Sequence, residues 1–507
     1  MNEKIKTLEE LQKITVDLKS MGKKIVHCHG VFDLLHIGHI KHFEEAKTFG
    51  DFLVITITPD KFVNKGPNRP AFNTDLRLEA LAALESVDYV ASNQWPIAVE
   101  TIKALKPDIY CKGPDYINLS DDITGKIKDE KLAVESVGGE IRCTNDITFS
   151  SSNLLNKFGD IYNESQKSFI QTIFDDWDFE DIKKKVDNLQ NLKVLVIGET
   201  IIDQYNFCEA LGKSGKEPVL VLRDLGMDQY AGGAAAIARH LSDFCGNVSL
   251  LSMLGEEKEH KNFILDSLPE NVDPYFIYKD DSTTITKKRY VDQISKRKNL
   301  GIYSINDSQM KGDNLNELIE FLDGLIPMHD FMIVSDYGHG FLPMEIAKKI
   351  SKESLFTSLN AQINAANIGY HTMNNYHNID CTIINETELR HELRDRNANV
   401  EELMKKLTKN LRAKKLIVTQ GSGGATLYDS EKNMYHYCPA FAVRVVDKIG
   451  SGDAMLALIS CCLKSGFDAD LSLFIGSLAA AQSVESIGNS IPVNKVDLLK
   501  TISHAIK

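Results

Sequence analysis

Short apolar runs alternate with amphipathic stretches along most of this chain. Between Lys23 and about Leu155, residues 25–28, 52–57, 87–91, 108–111 and 140–143 carry the runs of β-formers that predict strands. Residues 40–48, 76–84, 97–105 and 123–137 between them carry a helical pattern. Strands and helices alternating at this spacing imply a parallel, doubly wound sheet. A charged segment containing Asp175-Asp176-Trp177-Asp178 follows and predicts a helical connector. At 193–198 a second strand-like run restarts the alternation, which continues through 331–335, 381–384 and 415–419. No internal repeat is visible. The expected organisation is an α/β domain at 22–156, a helical linker at 157–191 and a larger α/β domain at 192–507.

The chain has 507 residues, 43% apolar and 25% charged, which suits a globular protein and excludes disordered and collagen-like classes. Its net charge of −13 argues against broad capture of nucleic acid or an anionic membrane, so neither partner is expected. Small anionic ligands stay open, because local loops hold those. The nine cysteines are scattered and contain no C-x-x-C, which points to buried thiols in a reducing compartment. The opening Met-Asn-Glu-Lys-Ile-Lys lacks the apolar stretch of a signal peptide, and no apolar run approaches the ~20 residues that span a bilayer. A soluble, cytoplasmic protein is the expectation.

Candidate chemistry concentrates at two glycine-containing turns. The first is Gly30-Val-Phe-Asp-Leu-Leu-His-Ile-Gly-His39, between a strand and a helix. Gly38 lets a phosphate approach the helix N-terminus, and His36 and His39 can donate to a phosphoryl oxygen as charge builds in the transition state. Asp33 orients a group or caps a turn. His36, His39 and His42 are spaced three apart, as metal ligands can be, but no H-E-x-x-H is present and His42 lies a turn further into the helix. His-Ile-Gly-His is also the signature of class I aminoacyl-tRNA synthetases. Those need a later Lys-Met-Ser-Lys-Ser-like loop, which is not visible here.

The second turn is Gly450-Ser-Gly-Asp453, before an apolar helical run. Gly450 and Gly452 allow amides to converge on an anion, and Asp453 sits where it can take a proton from a substrate hydroxyl.

The first region resembles the cytidylyltransferase-like nucleotidyltransferase family, a Rossmann-like fold. The likeness extends to Gly50-Asp51, Arg69-Pro70, Arg77, Val87-Asp88, Lys112-Gly113-Pro114-Asp115-Tyr116 and Ser150-Ser151-Ser152. It implies that His36 and His39 stabilise transfer at the α-phosphorus. Gly30, Phe32, Asp33 and Gly38 then form the nucleotide-binding motif, Lys47 and Lys112 contact phosphates, and Ser151 and Ser152 meet the triphosphate.

The second region resembles the ribokinase-like sugar kinase family, also α/β, whose late Asp-Thr-x-Gly-Ala-Gly-Asp motif matches Asp447 and Gly450 to Asp453. Lys448 and Ser451 depart from it. The resemblance implies an anion hole at Gly450, Ser451 and Gly452, and a base at Asp453. Asn385-Glu-Thr-Glu388 matches an element linked to magnesium and phosphate, with Glu388 the metal-linked residue. Thr419, Gly421 and Gly423 match a nucleotide-binding strand and turn. Asp203 matches a sugar-hydroxyl ligand, and Gly232-Gly233 a sugar-binding turn. Ala236 stands where relatives usually have Asn, and 359–367 replaces an Asp-Pro-Lys segment, with Asn360, Gln362, Asn364 and Asn367 as wall candidates.

Together the halves resemble the bifunctional heptose-phosphate kinase/heptose-1-phosphate adenylyltransferase family, in reversed domain order. Thr284-Ile-Thr-Lys-Lys-Arg289 and Ser335-Asp-Tyr-Gly-His-Gly340 add Lys287, Arg289 and Asp336 as substrate contacts. The resemblance implies a sugar or sugar phosphate and NTPs as partners, Mg2+ as cofactor, ATP at the kinase site and ATP or CTP at the other. It also implies a homodimer through the kinase domain, with the segment around residues 284–291 as the contact. A CDP-forming enzyme and an inactive sugar- or nucleotide-binding regulator are the competing readings.

Overall fold

The computed structural model describes residues 3–63, 70–113, 126–144, 162–363 and 367–506. Its contacts divide the chain into two compact units, Met1–Asn163 with Leu499–Lys507, and Glu164–Leu498.

The first unit is built on five strands: β1 (Ile25–Gly30), β2 (Phe52–Ile57), β3 (Tyr89–Ser92), β4 (Ile109–Lys112) and β5 (Glu140–Cys143). They run in the order β3-β2-β1-β4-β5, and every pairing is parallel. The strand order reverses between β1 and β4, so the crevice at their C-terminal ends is where such a sheet takes its ligand. Along β1 the side chains alternate. Val26 and Cys28 enter an apolar cluster with Phe43, Leu53, Ile55 and Leu81, whereas His27 and His29 both reach the Thr56 hydroxyl on β2.

The unit begins earlier than the strand pattern suggested. Thr7 and Glu10 form a capping box that starts helix Leu8–Ser20, and Leu8 and Leu11 pack with Ile25, Val54, Ala91 and Leu105. Arg77 is buried and ties three segments together. Its guanidinium donates to the carbonyls of Val31 (2.6 Å), Thr58 (3.0 Å) and Phe72 (3.0 Å) and pairs with Asp60 at 2.6 Å.

The segment expected to be a connector packs on the second unit as helices Glu164–Asp176 and Phe179–Asn188. Gln166 donates to the Ala440 carbonyl (2.7 Å), Trp177 donates to Asp468 (2.7 Å), and Phe169 lies against Phe441 and Phe474. Their apolar faces have a partner, so these helices behave as part of a domain.

The second unit holds β6 (Lys193–Gly198), β7 (Thr200–Lys213), β8 (Leu220–Gly233), β9 (Asn247–Gly255), β10 (Val272–Lys279), β11 (Thr286–Asp292), β12 (Lys298–Ser304) and β13 (Phe331–Asp336). It continues with β14 (Phe356–Ala361), β15 (Cys381–Asn385), β16 (Lys415–Thr419), β17 (Ala425–Asp429) and β18 (Met434–Cys438). Among the described residues, nine of these form a sheet in the order β10-β9-β6-β13-β14-β15-β16-β17-β18, antiparallel only at its last two pairings. Leu195, Ile197, Val334, Leu359, Leu416 and Val418 from it share one apolar cluster with residues of helices Gly312–Leu325 and Val400–Leu411.

A second sheet, β12-β11-β7-β8, departs from the expected plain alternation. Strand β7 leaves the end of β6 after one residue, Glu199, so the smaller sheet is rooted at the C-terminal edge of the larger one. The first six residues of β7 are buried and its last four exposed. No helix among the described residues is long and apolar enough to cross a membrane.

Replacing Arg77 by Met leaves the carbonyls of Val31, Thr58 and Phe72 without their donor, so urea unfolding of the first unit should lose roughly 3 kcal/mol. The transition of the second unit should keep its midpoint.

Candidate active sites

Strand β1 delivers the chain to helix Ile37–Thr48 through a tight loop. Phe32 takes a φ of +46°, in the left-handed region, which folds its ring back so far that a Cβ at Gly30 would lie 2.8 Å from it. The same ring meets His39 edge-on at 5.4 Å and Phe43 at 5.0 Å. His36 stands just before the first helical residue, and its imidazole stacks on that of His39 with centroids 4.0 Å apart. Burial lowers the His36 pKa, which disfavours its charged form. Gly38 lies between the two histidines in the first turn, where helix amides have no intrahelical acceptor.

Other expected contacts of this site divide. Lys112 ends β4, across the switch point from β1, 2.8 Å from buried Glu130 and 5.0 Å from the Tyr110 ring centroid. Asp33 is buried and accepts from the amides of Ala71 (2.9 Å) and Phe72 (3.0 Å), so it holds a loop. Lys47 is not brought to the histidines. It lies in the last turn of the helix that His36 begins, bonded to the Asp88 carboxylate and the Asp51 carbonyl, beside the start of β2. With a rise of ~1.5 Å per residue, the eleven positions from His36 put it roughly 16 Å along the helix. Ser151 and Ser152 lie outside the described residues.

His42 also leaves the other two histidines. Its Nδ1 pairs with the Thr144 hydroxyl at 2.9 Å, and its ligand atom lies within 4.8 Å of the Cys28 and Cys111 thiols. On the opposite face of β1, burial pushes His27 and His29 down to about 3. The strand run Ile-Val-His-Cys-His carries the signal for this polar layer, since two histidines at period two share a face.

In the second unit, Asp453 lies in the first turn of helix Ser451–Lys464 and accepts from the Tyr337 hydroxyl at 2.9 Å. Burial raises its pKa to about 7, with the Tyr337 hydrogen bond and the nearby Asn489 amide opposing and the Asp203 charge adding to the rise. Gly450 has a φ of +92°, and a Cβ there would collide with the Asn489 amide, while a Cβ at Gly452 would meet open space. Ser451 turns its hydroxyl back to the Lys448 carbonyl at 3.1 Å. The helix N-terminus is therefore open on the Gly452 side.

The residues expected on the sugar side come mainly from the smaller sheet. Asp203 on β7 forms a buried ion pair with Arg289 on β11, and Lys287 is the register partner of Asp203. Burial lowers the Lys287 pKa, and its neighbours include Asp203, Arg289, Glu199 and Asp453. At Gly232 a Cβ would run into the Asp203 carboxylate, and at Gly233 into the Glu199 carbonyl, so the Gly-Gly pair is a steric requirement of that close approach. Asp336 is buried and accepts from Tyr376 (2.7 Å) and from the Gly338 amide (3.0 Å). Ala236 is buried in helix Ala234–Ser242.

On the nucleotide side, Asn385 and Glu388 form a capping box at the start of helix Glu386–Leu393, at the C-terminal end of β15. Burial raises Glu388 to about 7. Thr419 is the register partner of Asn385, and Gly421 follows it with a φ of +58° in the turn that contains Gly423. Asn367 donates to the Tyr337 carbonyl (2.9 Å) and the Gln362 carbonyl (3.1 Å), Asn360 donates to Ile383 (2.8 Å), and Asn364 lies outside the described residues. Among the described residues no trio of carboxylates converges here. A magnesium ion that keeps mostly water and phosphate oxygens needs few protein carboxylates, and buried Glu388 would be one such donor.

Glu199 and Asn489 join this site without a motif to announce them, and Tyr337 joins it from within the motif at 335–340. Glu199 is fully buried and accepts from the amides of Tyr337 (2.9 Å) and His339 (3.0 Å), which aims the Tyr337 hydroxyl at Asp453. A charged residue directly after the apolar run 193–198 was the available clue.

Residues 191–496, more than half of the chain, match the pfkB family carbohydrate kinase profile. The chain belongs to this family. Residues 27–168 of this pfkB-family protein match the cytidylyltransferase-like profile. It is similar to the bifunctional protein HldE of Aliarcobacter butzleri, 44% identical over 142 residues, or 27% of this chain and 29% of that protein. With bifunctional protein HldE of Campylobacter jejuni it shares 27% identity over 304 residues, 59% of this chain and 62% of that protein. Over the first three such relatives the chain spans only 24% to 62% of their length. Phosphofructokinase-2 from Escherichia coli in complex with potassium shares the fold of 62% of this chain over 100% of its own, with a TM-score of 0.50 and 16% identity.

With Asp453 titrating at about 7, kcat/KM for sugar-dependent ADP release should fall as pH drops through that value. Tyr337→Phe removes a hydrogen bond that favours the carboxylate, so the acid limb of the profile should move to higher pH.

Proposed function

We propose that the protein phosphorylates a sugar or sugar phosphate with ATP in its second unit and activates a sugar phosphate with an NTP in its first, giving a nucleotide-linked sugar and pyrophosphate. The observation that carries this reading is the pairing of Asp453, at an open helix N-terminus, with the Asp203–Arg289 pair and Lys287 of the smaller sheet. In the kinase step the Asp453 carboxylate takes the proton of the acceptor hydroxyl, the anomeric one in this reading. The freed oxygen attacks the γ-phosphorus, and ADP leaves. The Gly450–Gly452 amides face the charge that develops, and Lys287 adds a cation to the same cluster. Magnesium, when bound beside Glu388, supplies neutralisation of the phosphates.

In the first unit a phosphate oxygen of the sugar phosphate attacks the α-phosphorus, and pyrophosphate leaves. His36 and His39 donate to the phosphoryl oxygens, and Lys112 supports them from β4. No side chain needs to become covalently attached. The resemblance of the two halves to the heptose-phosphate kinase/heptose-1-phosphate adenylyltransferase family supports a heptose phosphate as acceptor and ATP as nucleotide.

For a homodimer, the proposed contact is the outer face of the smaller sheet. Leu220, Leu225 and Met227 on β8 and Leu300, Ile302 and Tyr303 on β12 are exposed, whereas β11 lies between β12 and β7 with its side chains buried or half-buried. The outer strands therefore support a contact with a second copy better than residues 284–291 do.

The test supplies Mg-ATP or Mg-CTP with heptose and other sugar phosphates and reads ADP and pyrophosphate separately. His39→Ala should cut pyrophosphate release by about 10²–10⁴-fold and leave ADP release intact, and Asp453→Ala should do the reverse. Preference for CTP would move the product to a CDP-sugar. Absence of both activities across the panel would favour a binding protein.

A further inference from the structure

Asp447 lies three residues before Gly450 and is buried, yet its carboxylate is held chiefly from another sheet. Its Oδ2 accepts from the Tyr205 hydroxyl at 2.6 Å, and its Oδ1 accepts from the Lys298 ammonium at 2.6 Å and from the Ile449 amide at 3.2 Å. Tyr205 is on β7 and Lys298 opens β12, so both belong to the sheet that carries Asp203 and Arg289. Tyr205 follows Asp203 by two residues on β7, which gives them the same face, and Arg289 is its register partner on β11. The cations of Arg289 and Lys298 stand 5.7 and 5.5 Å from the Tyr205 ring centroid. Burial pushes Asp447 up, but the bonds from Lys298 and Tyr205 outweigh it and hold the carboxylate below its ordinary pKa.

A second contact reaches the other flank of the same turn. Gly488 packs so close to this aromatic pair that a Cβ there would lie 2.7 Å from the Tyr205 ring and 2.9 Å from the Tyr230 ring. The next residue is Asn489, whose amide abuts Gly450 and lies near Asp453. The smaller sheet thus touches both chain segments that shape the anion hole and the base.

We propose that Tyr205 and Lys298 are positioning residues that latch the Gly450–Asp453 turn to the smaller sheet through Asp447, so that seating of the sugar on Asp203 and Arg289 sets the geometry of the phosphoryl-transfer end. The inference rests on the kinase reading above. Neither residue touches the reacting atoms. Loosening the latch leaves sugar and ATP able to bind and removes the alignment of amides and base, a defect in kcat more than in KM.

The test uses the full chain with Mg-ATP and whichever sugar phosphate of the panel gives the best wild-type turnover. Lys298→Met should lower kcat by about 10- to 100-fold while KM for either substrate moves less than about threefold. Lys298→Arg, which restores a cation able to reach Asp447, should recover most of the loss. Tyr205→Phe should give a smaller loss, and pairing Lys298→Met with Asp447→Asn should cost little beyond the worse single variant, because both remove one interaction. Amide hydrogen exchange supplies a readout independent of turnover. In Lys298→Met, peptides covering 446–454 should exchange faster, and peptides from the core strands β6 and β13 should not change.

Wild-type turnover that is absent with every sugar overturns the kinase reading, while faster exchange in 446–454 would still support the latch. Unchanged kcat and unchanged exchange in Lys298→Met overturn the latch while the kinase reading stands. A loss that Arg fails to rescue, accompanied by a lower melting temperature and faster exchange throughout, assigns Lys298 a purely structural role and also overturns it.

Discussion

The carboxylate of Glu199 occupies the one-residue step between β6 and β7, and the kinase unit is organised around it. Burial raises its pKa, and what keeps it there are the amides of Tyr337 and His339, with the Lys279 ammonium nearby as a cation. Those amides fix the 337–340 loop, and the loop aims the Tyr337 hydroxyl at Asp453. The Glu199 carbonyl accepts from the Ala234 amide at 2.9 Å, which starts the helix after the Gly232-Gly233 turn. One residue therefore fixes the root of the smaller sheet, the sugar-side glycines and the partner of the base. A buried carboxylate with this many dependants tolerates little change, since removing its acceptor oxygens strands two buried amides.

In the proposed function the first unit meets the same chemical problem with different means. Phosphates need donors that are fixed before they arrive, and here β1 supplies them by ending at a loop that returns directly into a helix N-terminus. Phe32 holds that loop in its left-handed turn by filling the space above Gly30 and bracing His39 and Phe43. Arg77 fastens the loop from behind through the Val31 carbonyl. Both units thus place open amides at a helix start and hold them by buried contacts from distant strands.

Strands buried on both sides were legible in the sequence. β2, β6, β13, β15 and β16 are short apolar runs, and their burial explains that composition. β7 and β8 were not legible, because Asn206–Lys213 and Arg223–Gln229 are mixed, largely exposed stretches whose strand state comes from pairing with each other. Motif spacing put His36 and His39 on one turn and Asp453 beside its glycines. The same spacing could not reveal Lys47 as a partner of Asp88, although helix length alone separates it from the histidines. Glu199, Asn489, Tyr205 and Lys298 act on groups tens to hundreds of positions away, and local pattern carries no trace of such partners.

Strand order in the two sheets also has a consequence for synthesis. The five described strands of the first sheet are all present once Cys143 has been made, and only its β1–β4 pairing skips over other strands. In the other unit β6 lies between β9 and β13, so a strand made early waits for a partner that begins at Phe331, and Asp453 is added later still. Domains tend to fold in the order they emerge, and distant parallel pairings are slow. On the ribosome the histidine pair can be in place while the kinase half is still an open sheet with unpaired edges. Chaperone demand and sensitivity to truncation should therefore fall on the second half of the polypeptide.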